Sequence, residues 1–373
     1  MHRMASAASS VFVRRGLLLA ILALLAVSAG CDSEGPTEPP SVASREVWIG
    51  TYAVGPGLEH GVLAMDVRTA GEDASGLLVL RSRVSTAPYV QLHLSGSAVG
   101  DSLVLGPDPA WHPGLAGFRI RAAREGERLS GALRYASYSL EASLDCAGYT
   151  VNAIAQPKFF IIRDTTIVGL TAAGADLWTS TPIFNYLVYD TTGVCQHSVP
   201  VFYYPDATWI SDALTSDGNH LWGQYPVSVQ GGAPPDQSVL VEFTPAGQIT
   251  ARHDVLHRII GLAHDATGLW SLPLGGDTFD RLDPASGAVL ESVEVAVPDL
   301  TKFTSDGTRF WAVGWFLNLL YEIDRQGQVV KVYDQPSVGR GDSPVGLTFV
   351  GENLWLARTN VTDSWLYRTR VEP

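Results

Sequence analysis

The sequence has few cysteines and few charged residues, and it lacks the short motifs that mark common enzyme classes. Three cysteines occur in 373 residues, and charged residues make up 17% of the chain. It contains no Gly-rich phosphate-binding loop, no His-Glu-x-x-His pair and no Gly-x-Ser-x-Gly nucleophile motif. No set of His, Cys or carboxylate residues has the spacing of a metal site, so neither a metal nor another cofactor is predicted.

Long apolar runs are also missing. The apolar run at the N-terminus, Gly16–Val27, has 12 residues and follows Arg14 and Arg15. As a helix it would be about 18 Å long, against the roughly 30 Å of hydrocarbon that a spanning helix crosses. A cleaved export signal is therefore predicted rather than a transmembrane anchor. No later stretch is long enough to span a bilayer.

The residues after this run resemble a bacterial lipobox. Ser28-Ala29-Gly30-Cys31 ends in the cysteine that becomes diacylated in that family, although Ser28 stands where the family usually has Leu. The resemblance implies a signal peptide over residues 1–30 and a lipid anchor on Cys31; the alternative is an ordinary signal peptide cut nearby. The Pro-rich residues 31–45 are predicted to be a disordered tether. We therefore expect an exported protein, anchored in the bacterial cell envelope on the periplasmic side or at the cell surface.

Positive charge is scarce. The formal net charge is −13, and it becomes −16 when Arg3, Arg14 and Arg15 leave with the signal peptide. No stripe of Lys and Arg is visible, so nucleic acid is not expected as a partner. Membrane contact is predicted through acyl chains on Cys31 and not through a basic patch.

Two cysteines remain besides Cys31. Cys146 and Cys195 could form a disulfide that closes about 49 residues and contributes roughly 4 kcal/mol in the loop-entropy model. The alternative is two unrelated buried thiols, and both interpretations stay open.

Residues 46–150 show the pattern of a small antiparallel β domain. Polar and apolar residues alternate in Val62–Arg68 and Phe118–Arg121, and turn residues separate eight short segments. This predicts an eight-stranded up-and-down barrel or a related sandwich. Trp48–Tyr52 and the Ser-Gly pairs at positions 75, 95 and 130 resemble lipocalin-type barrels of bacterial lipoproteins. Trp111 and His112 lie in the one long loop and either line a mouth or cap the core.

The last 200 residues repeat a Leu-Trp or Phe-Trp pair five times. The steps between tryptophans are 44, 48, 41 and 44 residues. A period in the forties with one large aromatic residue per repeat is typical of a β-propeller, in which four-stranded sheets stack in a ring. The tryptophans are predicted to pack between blades. The pairs are Leu177-Trp178, Leu221-Trp222, Leu269-Trp270, Phe310-Trp311 and Leu354-Trp355.

Alignment on the tryptophans predicts four strands per repeat, so that residues 155–373 form a five-bladed propeller. The last repeat stops after its third strand, and Lys158–Arg163 is predicted to supply the missing outer strand. Four of the five inner strands carry Gly or Ala at their second position. The Gly-Leu strand, the Leu-Trp pair and the hairpin from Tyr321 to Val329 resemble the glutaminyl cyclase (glutamine cyclotransferase), gluconolactonase and NHL-like propeller families. The resemblance implies the architecture but assigns no catalytic residues.

The candidate ligand-binding residues lie on one predicted face of the propeller. This face is formed by the connections that lead into the first strand of each repeat and by those that join its second strand to its third. Lys302 occupies the position at which the other four inner strands have Gly or Ala. It indicates an anion or carboxylate site, or else a structural ion pair with Asp212. The aromatic side chains either bind ligand or pack at the rim. The insertion 223–238 is a candidate lid or binding loop. The full candidate set is Asp212, Lys302, Tyr225, Trp209, Trp315, Arg258 and Arg340.

The predicted function is a ligand- or protein-binding module whose partner is a small molecule, a glycan or an envelope protein. One alternative is a propeller enzyme of glutaminyl cyclase or lactonase type, working near Lys302 and Asp212. Another is a structural subunit of an envelope complex. A deep pocket lined by convergent carboxylates would favour an enzyme, whereas a shallow aromatic patch would favour binding.

Overall fold

The structure, a computed structural model, is all-β in the residues that it describes. No helical segment among them has the length and apolarity required to cross a bilayer. The predicted signal peptide, the acylation site Cys31 and the tether up to residue 43 lie outside the described residues. These are residues 44–54, 59–83, 89–113, 115, 117–135, 140–154, 158–182, 185–200, 213–226, 238–255, 257–275, 277–337, 341–360 and 362–371.

The described residues separate into two compact units. The first runs to Val151 and includes Ala296–Asp299; the second contains Asn152–Val295 and Leu300 onwards. The predicted boundaries at residues 30 and 45 stay predictions.

The first unit contains an eight-stranded antiparallel barrel. Each strand pairs with the next, and β1 also pairs with β8, where Gly50 lies opposite Cys146. The sheet is therefore closed, so the structure has the barrel and not the sandwich. The strands are β1 (Ser44–Val54), β2 (Glu59–Ala70), β3 (Asp73–Ser82), β4 (Val90–Val99), β5 (Ser102–Pro107), β6 (Phe118–Glu125), β7 (Arg128–Tyr135) and β8 (Leu140–Asn152).

Side chains of the barrel fill its interior. Inward residues alternate with exposed ones, as in β6, where Phe118 and Ile120 are buried and Arg119 and Arg121 are exposed. The inward set forms one apolar cluster from Trp48 through the strands of the barrel. Of the two possibilities for a barrel of this size, the filled interior is the one observed. The lipocalin-type relationship stays a prediction.

The long loop after β5 packs against the barrel. Backbone N–H groups of Trp111 and His112 donate to the Asp108 carbonyl, and the Trp111 ring stacks on His93 at 4.1 Å between ring centroids. His112 is buried, and its Nε2 accepts a hydrogen bond from the His93 backbone N–H at 3.1 Å. This loop therefore covers the barrel wall and does not line an open mouth.

The second unit consists of antiparallel sheets in a propeller-like arrangement. Consecutive strands pair in four sets of four, and the last three strands form a further sheet with β9. The strands are β9 (Lys158–Ile162), β10 (Gly169–Ala173), β11 (Asp176–Ser180), β12 (Asn185–Tyr189), β13 (Cys195–Pro200), β14 (Leu214–Ser216), β15 (Leu221–Pro226), β16 (Ser238–Phe243), β17 (Ile249–Val255), β18 (Ile259–Asp265), β19 (Gly268–Pro273), β20 (Thr278–Leu282), β21 (Val289–Glu294), β22 (Leu300–Ser305), β23 (Phe310–Gly314), β24 (Leu319–Ile323), β25 (Val329–Asp334), β26 (Ser343–Val350), β27 (Asn353–Thr359) and β28 (Ser364–Arg370).

The five repeat tryptophans are buried where one sheet packs on the next. Trp178 clusters with Leu214 and Leu221 of the following sheet. At the other end of the chain, Trp355 clusters with Ile167 and Leu170, which belong to the first sheet. These contacts agree with the prediction that the indoles pack between sheets rather than bind ligand.

A serine at the start of a third strand links neighbouring sheets in two places. Ser238 Oγ accepts a hydrogen bond from the Ile259 backbone N–H at 3.2 Å. Ser364 Oγ accepts one from the Ile167 N–H at 3.0 Å and donates to the Thr165 carbonyl at 2.8 Å. Ile259 and Ile167 occupy the same position in the repeat alignment. The contact between the last sheet and the first sheet is therefore of the same kind as the contact between the second sheet and the third.

Both cysteines in the described residues are free thiols. Cys146 belongs to the core of the barrel, where burial raises its thiol pKa to about 12, and Cys195 is exposed on β13. The structure has no bond between them. The two interpretations of the sequence, a disulfide or two separate thiols, both stay predictions.

The environment of His112 predicts a pH-dependent stability of the barrel. Burial lowers the pKa of both His112 and His93, and Asp108 only partly opposes this. The unfolded chain takes up protons at the ordinary histidine pKa of about 6.5, whereas the folded barrel resists them. Stability is therefore complete above that pH and falls as pH drops through it.

We expect the urea midpoint to decrease between pH 7.5 and pH 5.5 (about one unit either side of the unfolded pKa). His112→Gln should reduce that decrease, and His60→Gln, at an exposed histidine of the same barrel, should not. Equal effects of the two substitutions would show that His112 is not responsible.

The bonds of Ser364 predict a cost for its replacement. Ser364→Ala removes the partner of the Ile167 N–H and of the Thr165 carbonyl, so the free energy of unfolding should fall by about 1–3 kcal/mol. Ser198→Ala, at an exposed position of β13, should change it by less than about 0.5 kcal/mol. Urea denaturation measures both, and equal stability of the two variants would contradict the proposed role of this contact.

Candidate functional site

The candidate site lies on one face of the second unit. We define the upper face as the end at which the first strands begin and the second strands end. Lys302 and Trp315 both belong to it, because Lys302 pairs with Val313, two residues before Trp315. Connections such as 257–258, 274–275 and 315–318 form its surface.

An axial cavity is bounded by the first strands of the sheets. Its empty volume is about 190 Å³, part of which is open to solvent. It is lined by Leu170, Ala213, Leu214, Gly261, Leu262, Lys302, Phe303, Val345, Gly346 and Leu347.

Small residues in this lining have a steric cause. A Cβ atom at Gly346 would overlap the backbone of Leu170 on the neighbouring first strand, and one at Gly261 would contact the ring of Phe303. At the corresponding position of β22, Lys302 extends its side chain into the space. Its Nζ donates to the Ile260 carbonyl at 2.8 Å, and the side chain is 8% exposed.

Lys302 is thus placed at the axis, as the sequence suggested. Asp212, the partner considered for a structural ion pair, lies outside the described residues, as do Trp209, Arg340 and most of the insertion 223–238. Whether Lys302 binds an anion stays a prediction.

Two large apolar side chains are exposed on the upper face. Trp315 follows β23 and is 56% exposed, and Leu274 follows β19 at the corresponding position and is 49% exposed. The Trp315 ring stacks against Phe316, with 6.4 Å between ring centroids. We call the Trp315 and Leu274 side chains, which lie at corresponding positions of neighbouring sheets, the apolar patch. Exposed aromatic and apolar side chains of this kind are used in recognition.

The structure separates the other predicted residues. Tyr225 is buried in the cluster between the first and second sheets, and its hydroxyl lies 3.3 Å from that of Tyr186. Burial raises the pKa of Tyr225. This position is that of a packing residue. Arg258 lies at the upper face, where its carbonyl accepts a hydrogen bond from the Leu274 N–H at 2.5 Å.

A carboxylate that the sequence analysis missed lies beside His257. Asp280 is 6% exposed, and its Oδ1 has no hydrogen-bond partner. Its Oδ2 is 3.8 Å from His257 Nε2, which also lacks a hydrogen-bond partner. A buried carboxylate oxygen without a donor is unfavourable. The pair is therefore prepared to accept a hydrogen bond or positive charge from a ligand or water.

Strand register provides the signal that could have identified Asp280. It lies opposite Ser271, the residue after Trp270. The corresponding residues of the other sheets are Leu187, Val241, Tyr321 and Tyr367. An aspartate in an otherwise apolar column indicates a specific role.

A buried ion pair holds the connection between β25 and β26. Arg358 donates from Nε to Asp342 Oδ2 at 2.9 Å and from Nη1 to Gln335 Oε1. Gln335 Nε2 in turn donates to the carbonyls of Gly314 and Leu319. This network holds the backbone of Gly314 and Leu319, on either side of Trp315 in the chain.

The opposite face contains three aspartates, Asp217, Asp265 and Asp306, in the turns between first and second strands. Asp306 Oδ1 accepts from the Thr308 and Arg309 N–H groups, and its Oδ2 accepts from Trp311 Nε1. Burial alone would raise the pKa of Asp306, but these hydrogen bonds outweigh it and lower the pKa. Asp217 and Asp265 are held in the same way. All three therefore act in turns and not in a site.

Within the described ranges, no three His, Cys, Asp or Glu side chains converge in a way that would hold a metal ion. The upper face therefore offers an apolar patch, one carboxylate–imidazole pair and an ammonium group at the axis.

Comparison with known proteins identifies similar structures but no family. No protein-family model and no curated protein sequence matches the chain. Among solved structures, the chain is similar to the glutaminyl cyclase of Myxococcus xanthus, with 16% identity and a TM-score of 0.44, covering 60% of this chain and 100% of that one. A gluconolactonase from Xanthomonas campestris has 17% identity and a TM-score of 0.35, covering 72% and 90%. BamB from Moraxella catarrhalis has 13% identity and a TM-score of 0.29, covering 83% and 80%.

The predicted resemblance to glutaminyl cyclases and gluconolactonases is confirmed, since both are among the structural neighbours. At these identities and TM-scores the similarity transfers no activity and no residue role to this chain.

Proposed function

We propose that this protein is an exported, lipid-anchored binding module that recognises its partner with the upper face of the second unit. The observation that carries the proposal is the Trp315 side chain, which is 56% exposed on that face although the five repeat tryptophans are buried. The Leu274 side chain, at the corresponding position of the preceding sheet, is also exposed.

The polar part of the proposed surface is the Asp280–His257 pair. It lies next to the 257–258 connection, whose Arg258 carbonyl is bonded to Leu274. A partner that offers an apolar or sugar face together with a hydrogen-bond donor matches this combination, because CH-rich faces stack on indole and donors satisfy the carboxylate. Small molecules, glycans and protein segments of envelope proteins all include such groups.

The architecture that presents this face is proposed to be a five-bladed propeller closed by β9. β9 pairs with β28, with Ile161 opposite Trp365. The contact of Ser364 with Ile167 repeats that of Ser238 with Ile259, and Trp355 packs on the first sheet. All three observations support a ring in which the last sheet adjoins the first.

A second candidate function is an enzyme of glutaminyl cyclase or lactonase type. The observation that favours it is the buried carboxylate 3.8 Å from an imidazole, since a carboxylate can orient a histidine that acts as a general base. If Asp280→Asn loses turnover but still binds its ligand, the result would support the enzyme. If Asp280→Asn loses binding and the wild-type chain shows no turnover, the result would support the binding module.

Contact of the upper face with a partner is tested by photo-crosslinking in intact cells. A benzophenone amino acid at position 315 should form a crosslinked product that the same residue at position 290 does not form. Leu290 is the matched control, because it is 55% exposed but lies on the outer strand β21. Products at both positions, or at neither, would contradict recognition through the upper face.

The lipid anchor is tested by fatty-acid labelling. The wild-type chain should incorporate a labelled palmitate analogue and partition into detergent, and Cys31→Ala should abolish both. Cys195→Ala removes another cysteine, one that the structure places on the surface, and should leave the label unchanged. Label that survives Cys31→Ala would rule out the anchor at that residue.

A further inference from the structure

Three arginines on the outer wall of the barrel form a cluster without ion pairs. Arg119 and Arg121 lie on β6 and Arg134 on β7, and all three side chains are exposed. Arg119 is directly opposite Arg134 in the strand register. Directly opposed residues have Cα atoms about 5 Å apart, and residues two apart on a strand are about 7 Å apart. The three guanidinium groups therefore share one small area of the wall.

Four other barrel arginines differ from these three because they form ion pairs. Arg45 and Arg68 pair with Asp66, Arg124 pairs with Glu46, and Arg128 pairs with Asp145. In the described part of the chain, Arg119, Arg121 and Arg134 have no carboxylate within ion-pair distance. Glu141 lies opposite Arg134 on β8 without forming a pair. Like charges placed opposite each other destabilise a sheet, so the free protein gains nothing from this arrangement.

The Arg119 guanidinium lies over a glycine of the neighbouring strand. A Cβ atom at Gly106 on β5 would overlap the guanidinium, and Arg119 Nη1 donates to the Phe118 carbonyl at 3.4 Å. The guanidinium therefore lies close to the wall of the barrel.

We propose that this arginine cluster binds the phosphate groups of an anionic lipid bilayer. Guanidinium groups form charge-assisted, bidentate hydrogen bonds with phosphate oxygens. The bilayer is chosen because the proposed anchor at Cys31 holds the chain there; this inference rests on that part of the proposed function. From Cys31 to Ser44 the chain spans at most about 43–47 Å, enough for the barrel wall to reach the headgroups.

The binding free energy expected from three arginines is small, so the cluster would act together with the lipid anchor. Each arginine near an anionic surface contributes about 1 kcal/mol, so three give roughly a hundredfold in partitioning. That gives only weak binding of an unanchored protein whose formal net charge is negative. Combined with an acyl anchor, it is enough to orient the barrel, since stable attachment takes two signals.

The test compares two triple variants of the full lipidated protein in vesicles. The first is Arg119→Gln, Arg121→Gln and Arg134→Gln. The second is Arg128→Gln, Arg281→Gln and Arg370→Gln, which changes the net charge equally at arginines that already have ion pairs. Hydrogen–deuterium exchange of β6 and β7 is measured in vesicles of phosphatidylcholine with and without phosphatidylglycerol.

We expect exchange of β6 and β7 to slow severalfold only in the vesicles that contain phosphatidylglycerol. The effect should weaken with added salt, disappear in the first variant and persist in the second. Equal protection in neutral vesicles, or loss in both variants, would overturn the proposal. Protection by inorganic phosphate alone, without vesicles, would assign the cluster to a soluble phosphate and overturn the bilayer assignment.

A separate experiment distinguishes an absent lipid anchor from a cluster that does not bind lipid. If Cys31 carries no acyl group, the same variants are compared by flotation of the unacylated chain on the two kinds of vesicle. Weak binding to phosphatidylglycerol that the first variant loses and the second keeps would support the cluster even without the anchor. No such difference would reject it.

Discussion

The packing of one indole against the neighbouring sheet is the constraint on which the second unit depends. A four-stranded antiparallel sheet with apolar residues on both faces cannot shield them alone. Each repeat therefore supplies a tryptophan that the next sheet covers, as Trp178 is covered by Leu214 and Leu221. Trp355 of the last sheet is in turn covered by Leu170 of the first sheet. The small residues at the axis are required because the first strands of neighbouring sheets lie close together there. Gly346, for example, lies against the backbone of Leu170.

Much of this architecture could be predicted because it depends on local and periodic features. The tryptophan period marks the sheets, and the alternation in Phe118–Arg121 marks a barrel strand. β9 was predictable from an incomplete last repeat, and it pairs with β28. These features are one-dimensional, so the sequence displays them directly.

The candidate site was harder to predict because it depends on register. Asp280 looks ordinary between Phe279 and Arg281, and only its alignment opposite Ser271 shows that an apolar side chain is expected there. Tyr225 was assigned to a loop, but β15 continues to Pro226 and carries it into the core. Arg119 and Arg134 are 15 positions apart in the chain and meet only through pairing of β6 with β7. The absence of a basic stripe in the sequence therefore did not exclude a basic cluster on the surface.

Lys302 has a consequence for the electrostatics of the axial cavity. Its side chain takes the volume that glycine or alanine leaves open in the other first strands, and its ammonium group donates to the Ile260 carbonyl. Among the described residues that line the cavity it is the one charged group. The cavity wall is therefore polarised towards one sheet, although most of its lining is apolar.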